Sequence, residues 1–199
     1  MLKQWLQASQ AQLRSYEWIE TTVVATDGEE KSRKQNTCYY GVDGALQKVP
    51  VGSAEPESGP RGPLRKKIAA NKKQEMTAYM QSAVALVHQY LPPDPNRIQQ
   101  AVNGGNFSVT PAPQRVELTF RNYLKPNDAL NVGVEVPTNR LVGMKISSYL
   151  DDPKDAINVD VAMGVLPDGT IFVQRSTLNA PAKKLTVTVE NSGYRRAGG

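Results

Sequence analysis

The chain has 199 residues, 39% hydrophobic and 22% charged, which is the composition of a soluble globular protein able to bury a full core in one domain. No apolar run approaches the roughly 18 residues that cross a bilayer as a helix, and a single cysteine with a single histidine excludes an internal disulfide and a Cys/His zinc cluster. The net charge of +5 is local: the stretch from Arg61 to Glu75 holds six cations and one acid, and the rest of the chain carries eighteen of each.

The first segment, residues 2–16, is expected to be a helix, with Leu2, Trp5, Leu6, Leu13 and Tyr16 near helical spacing. It is not a signal peptide, because Lys3, Gln4, Gln7, Gln10, Gln12 and Arg14 interrupt any apolar core. The chain is then either cytoplasmic or a form without its leader. From Trp18 the pattern turns to β. "WIETTVVAT", "SRKQNTCYY" and "ALQKVPV" form a three-stranded meander joined at Asp27-Gly28 and Asp43-Gly44. Asp-Gly recurs at 168–169, and the pair tolerates the positive φ of tight turns. "VDGA" at 42–45 is therefore read as a hairpin tip in preference to a ligand-gripping loop.

Residues 50–63, with four prolines, three glycines and two serines, are expected to be a mobile loop. A long helix follows over 64–91. Pro63 suits its first turn, and Leu64, Ile68, Met76, Tyr79, Met80, Ala83, Val84, Val87, Tyr90 and Leu91 make one apolar stripe. "PPDP" at 92–95 ends it, and Asp94 caps a short helix over 95–103. Residues 64–103 are thus a helical insertion, or lid. About six strands follow, from "RVELTFRNYL" to "KLTVTVENS", each alternating apolar and polar residues, and 197–199 are expected to be a disordered tail. The fold class is α+β: a curved antiparallel sheet, or half-barrel, of about nine strands, covered by an N-terminal helix, the inserted long helix and the short helix.

No phosphate-binding loop, dinucleotide fingerprint, nucleophile elbow or H-E-x-x-H motif occurs. A Cys38–His88 dyad has no local support. His88 is expected near the end of the long helix, favouring its C-terminus or lying at the surface. "DDPKD" at 151–155 lacks the spacing and glycine of a calcium loop and reads as a turn, with weak calcium binding as the alternative. No catalytic residue, metal or cofactor is assigned. The basic stretch lacks interleaved aromatics, so nucleic acid is not expected. Its cations stand at a helix N-terminus, against the dipole. They are either a solvated face or a contact for an anion. The Met76, Tyr79, Met80 and Tyr90 stripe is likewise either ordinary core or an adaptable apolar surface.

The order of elements resembles the periplasmic lipoprotein carrier and receptor superfamily. The segments "YYGVDGALQK", "HQYLPPDP", "NYLKPNDAL", "SYLDDP", "LPDGT" and "VTVENSGYRR" resemble more closely a group of uncharacterised secreted bacterial proteins. The resemblance implies a periplasmic or secreted location through a leader missing here, and a hydrophobic groove under a helical lid. On that basis the expected function is non-catalytic binding of a lipid, a lipoprotein acyl chain or another acyl-bearing ligand. The groove residues would be Val116, Leu118, Phe120, Val132, Val134, Met144, Ile146, Val161 and Met163 on the sheet and Met76, Tyr79 and Met80 on the helix. Lys66, Lys67, Lys72 and Lys73 would meet an anionic head group. The alternative is an envelope protein-interaction or stress-sensing module with the same fold, a filled core and no small ligand.

Overall fold

In the computed structural model, residues 9–52 and 63–197 are described, apart from the side chains at 63–66, 68, 69 and 73. Ten strands follow in chain order: β1 (Tyr16–Thr26), β2 (Glu29–Tyr40), β3 (Leu46–Pro50), β4 (Phe107–Ala112), β5 (Arg115–Arg121), β6 (Ala129–Glu135), β7 (Arg140–Tyr149), β8 (Ala156–Val165), β9 (Ile171–Ala180) and β10 (Leu185–Arg196). Helix α1 (Pro63–Val87) and helix α2 (Pro95–Asn103) lie between β3 and β4. The strands form one antiparallel sheet in the order β3-β2-β1-β10-β9-β8-β7-β6-β5-β4. The architecture is α+β with an open curved sheet, one strand larger than expected from sequence.

The turns follow from local chemistry. Asp27 and Gly28 both have positive φ, 56° and 80°, as the two-residue turn between β1 and β2 requires. At the β2–β3 tip Gly44 has φ 74°, and Asp43 Oδ1 accepts the Ala45 N–H at 2.9 Å, which makes "VDGA" a hairpin tip. In "DDPKD" Asp152 Oδ1 accepts the Lys154 N–H and its carbonyl accepts the Asp155 N–H, both at 2.8 Å, so this segment is a turn.

Strand alternation builds two unlike faces. One continuous row of paired residues runs Val24, Val187, Leu178, Val159, Ile146, Leu130, Phe120, Phe107 across eight strands. The neighbouring row on the opposite face runs Thr119, Asn131, Lys145, Asp160, Thr177, Thr188. Period-2 side-chain placement therefore yields an apolar floor and a polar outer surface.

Topology dictates what covers the floor. β3 and β4 are the two edges of the sheet, so the chain between them must cross its full width. Ten strands at about 4.8 Å span roughly 43 Å when flat, and the 25 residues of α1 span about 37 Å. The helix lies over the apolar floor, where its Ala83 and Leu86, and Tyr90 just beyond it, join the buried cluster.

Four sequence expectations are corrected. The helix expected over 2–16 stops short of Tyr16: residues 9–13 are helical and Tyr16 opens β1. Residues 1–8 lie outside the described residues, as do 53–62 of the expected loop and 198–199 of the expected tail. Helix α1 ends at Val87 rather than 91. The chain tightens through Gln89 N–H to Leu86 and Tyr90 N–H to Val87 bonds before Pro92. Val84 is off the buried stripe and 46% exposed. Strand β4 was not anticipated; its Pro111 is tolerated because β4 is a sheet edge.

Both edges carry such a proline. The Val51 N–H bonds to Gln35 and the Arg121 N–H to Asn106. By alternation, the nitrogens of Pro50 and Pro111 then point away from the sheet. A missing donor at each edge blunts strand-to-strand association.

Candidate functional site

The floor is set by two adjacent inward rows. Phe120 and Ile146 stand in the row described above, and Leu118, Val132, Met144 and Val161 occupy the next. Val134 and Met163 extend it. From above, α1 contributes Met76, Tyr79 and Met80. All eleven belong to the same apolar cluster, the first in its buried part or packed against it. Val116 does not: it pairs with Pro111 and Val134 toward the far end of β5 and stays outside the packed cluster.

Cover is uneven along α1 and the turn that follows it. Ala83, Leu86 and Tyr90 are buried, whereas Met76, Tyr79 and Met80 are only half-buried. On the floor Leu130, Ile146, Ile157 and Leu185 are fully buried, while Leu118, Val134, Met163, Leu178 and Val187 are half-buried. The centre of the helix–sheet contact is closed, and the seam is looser around it.

The C-terminal end of the helical segment is fixed by a buried polar hub. The Tyr90 hydroxyl donates to Asp128 Oδ2 at 2.5 Å and sits 2.8 Å from Ser148 Oγ. Asp128, 2% exposed, also accepts the backbone N–H groups of Tyr123 (2.6 Å), Leu124 (2.9 Å) and Lys125 (2.9 Å). These bonds satisfy a carboxylate that would otherwise be costly to bury. Tyr90 stacks on Tyr123, whose hydroxyl accepts the Asp94 N–H at 2.7 Å. Lys125 Nζ lies 4.0 Å from the Tyr149 ring centroid and donates to the carbonyls of Tyr149 and Leu150. Burial, then the bond to Asp128, pushes the Tyr90 phenol well above its usual range, so it remains a donor.

Midway along α1 the Tyr79 hydroxyl donates to Asp155 Oδ1 at 2.6 Å, and Lys183 Nζ lies 5.4 Å from its ring centroid. Burial and the Asp155 contact raise the Tyr79 pKa as well. Lys67 and Lys72 are exposed on α1; the side chains of Lys66 and Lys73 lie outside the described residues.

A second cluster closes the opposite corner. Tyr16 donates to Asp168 Oδ2 at 2.6 Å, and the Thr170 N–H and Arg196 also reach this carboxylate, at 3.0 and 3.3 Å. Trp18 stacks on Tyr194 at 5.4 Å, donates to Asn191 Oδ1 at 3.0 Å and contacts Tyr40. The six segments singled out from the sequence thus divide by place. "HQYLPPDP", "NYLKPNDAL" and "SYLDDP" build the hub under the helix end, and "YYGVDGALQK", "LPDGT" and "VTVENSGYRR" build the aromatic corner.

A concavity of about 280 Å³ opens on the polar face, where Gly133 pairs with Gly143 and Arg115, Glu117, Lys145 and Asp160 form the rim. Its lining also includes Val116, Met144 and Val161, so it shares strands β5, β7 and β8 with the apolar floor. Among the described residues no trio of His, Cys, Asp or Glu is arranged to hold a metal, and no helix is long and apolar enough to cross a membrane.

The sequence reading missed Leu130, Ile157, Val159, Leu178 and Leu185 as floor residues. Parity along β6 and β8 carries the signal, since Leu130 alternates with Val132 and Ile157 with Val159 and Val161. Tyr123 and Asp128 had no such signal, because they sit in an irregular turn.

No protein-family model matches the chain, and no curated protein matches it. Among solved structures, it is similar to a LolA superfamily protein from Nitrosomonas europaea, with 6% identity, 99% of this chain and 94% of that chain covered, and a TM-score of 0.42. It is also similar to a DUF1329 family protein from Desulfovibrio piger ATCC 29098, with 8% identity, 100% and 94% covered, and a TM-score of 0.37.

Proposed function

We propose that this chain is a non-catalytic binding protein that holds an acyl-bearing ligand between the apolar floor of its sheet and α1. The observation that carries the reading is the uneven cover: Met76, Tyr79 and Met80 remain half-buried above a continuous apolar floor, while the far end of the helical segment is pinned at Tyr90. An acyl chain entering this seam would replace partial exposure with full burial. Each methylene contributes about 0.8 kcal/mol, so ten give roughly 8 kcal/mol before ordering costs. Methionine suits a ligand of variable shape, and Met76, Met80, Met144 and Met163 all belong to the seam. Lys66, Lys67, Lys72 and Lys73, with Lys183 beside Tyr79, would meet an anionic head group. A periplasmic or secreted location belongs to the same reading.

A second reading rests on the closed centre. Leu130, Ile157 and Leu185 are fully buried, which favours a filled core and a protein-interaction role. Native mass spectrometry of freshly purified protein, followed by solvent extraction and lipid analysis, separates the two. Co-purified acyl species that disappear in Met80→Asp support the groove. A clean apo mass, with no uptake from a lipid extract, rejects acyl binding and leaves the interaction module.

A further inference from the structure

The inward face of the sheet changes character partway across. One row of paired residues runs Leu118, Val132, Met144, Val161 from β5 to β8. Beyond β8 the same row continues as Ser176, Val189, Thr22 and Lys34. The neighbouring row stays apolar as far as Val24 and then meets Ser32, and two residues the other way Glu20 pairs with Asn36. Val24 packs on the apolar cluster, so alternation puts Thr22 and Glu20 on the same inward face. The inward side of β9, β10, β1 and β2 is thus a polar bay that continues the apolar floor.

The bay offers donors that the fold leaves unused. Among the described residues the side chains of Thr22, Ser32, Lys34, Asn36 and Ser176 make no hydrogen bond or ion pair. All but Lys34 are half-buried, and Lys34 is exposed. The acid of the bay is occupied: both carboxylate oxygens of Glu20 accept from Lys48 Nζ at 2.7 Å. Lys34 is therefore its unbalanced charge. The long helical segment bonds to Asp128 through Tyr90 and to Asp155 through Tyr79, with Lys183 beside Tyr79. That direction runs from the β5–β6 turn past the β7–β8 turn toward β10, so the residues before Tyr79 lie on the side of the bay. Lys67 and Lys72, both exposed, belong to that half of α1.

We infer that the bay seats the head group of a phospholipid whose acyl chains lie in the seam, and that it selects a singly charged phosphodiester bearing hydroxyls over a zwitterionic one. The inference rests on the acyl-binding reading and adds which amphiphile the seam takes. Ser176 pairs directly with Val161, so polar and apolar surface adjoin as the junction of head group and chain requires. A phosphodiester only accepts, and three hydroxyls, an amide and an ammonium supply donors to it. A choline or ethanolamine group would want a carboxylate, and Glu20 is already held by Lys48. An acylated peptide brings no phosphate and would leave Lys34 unmatched.

The test is titration calorimetry of the full chain with dioctanoyl-phosphatidylglycerol and with dioctanoyl-phosphatidylcholine, which share acyl chains and phosphate, both as monomers in solution. Phosphatidylglycerol is expected to bind about tenfold more tightly. Lys34→Gln should remove most of that preference, and Thr22→Val with Ser176→Ala should reduce it. Arg33→Gln, which alters a cation on the opposite face of the same strand, should retain it, as a general charge effect would not. Met80→Asp should weaken both lipids alike. Equal affinity of the parent for the two lipids, or a preference that survives both Lys34→Gln and the hydroxyl variant, overturns the inference and leaves the acyl seam standing. Binding of neither lipid overturns the seam and the bay together.

Discussion

The hydroxyl of Tyr90 and the carboxylate of Asp128, 2.5 Å apart and both buried, tie the end of the long helical segment to the turn between β5 and β6. Removing the hydroxyl leaves a buried carboxylate short of one donor. Tyr90→Phe is therefore expected to cost about 1–3 kcal/mol, seen as a lower urea midpoint with an unchanged slope. Asp128→Ala should cost more, because three backbone N–H groups lose their acceptor. A midpoint unchanged in Tyr90→Phe would show that the hub does not hold the helix.

The closed centre and the looser rim should respond differently to truncation. Leu130→Ala empties a fully buried site and is expected to cost about 2–5 kcal/mol. Met163→Ala, at a half-buried position, should cost clearly less. Chemical denaturation of both variants checks this, and equal losses would contradict the uneven packing.

Acid stability should depend on Asp168. A hydrogen bond from Tyr16, then Thr170 and the nearby Arg196, hold its carboxyl at about 2, below its ordinary 3.8. A depressed carboxyl pKa stabilises the folded state fully above the unfolded value, and that contribution drains as pH falls from about 4 toward 2. Thermal melts of Asp168→Asn should therefore be flatter than those of the parent across this window. Parallel curves would remove Asp168 from the account.

Restoring backbone donors at the edges should promote association. The double variant Pro50→Thr with Pro111→Thr is expected to self-associate more than the parent in light scattering after size exclusion. Unchanged scattering would mean that the prolines are not what blunts the edges.

The α+β class, the Asp-Gly turns, the Asp94 cap with its 2.9 Å bond to the Asn96 N–H, and about half of the floor residues were legible in the sequence. Each depends on local periodicity or turn chemistry. Tyr16 was misplaced because an aromatic at helical spacing fits either element, and only its partners Arg196 and Asp168 decide for the strand. Val84 was misplaced because one position of rotation separates the buried stripe from solvent. The polar hub was illegible, since Tyr90, Asp128 and Ser148 are separated by 38 and 58 residues along the chain.

The sequence by itself determined which residues alternate, where the chain turns and where helices must stop, because these follow from backbone geometry within a few residues. Only the tertiary structure decided that β10 lies beside β1, that β3 and β4 become opposite edges, and that α1 must therefore cross the apolar floor. Alternation fixes the face of a side chain but not the neighbour of its strand. That neighbour is set by non-local pairing, whose register is specified by burying one face across all the strands at once.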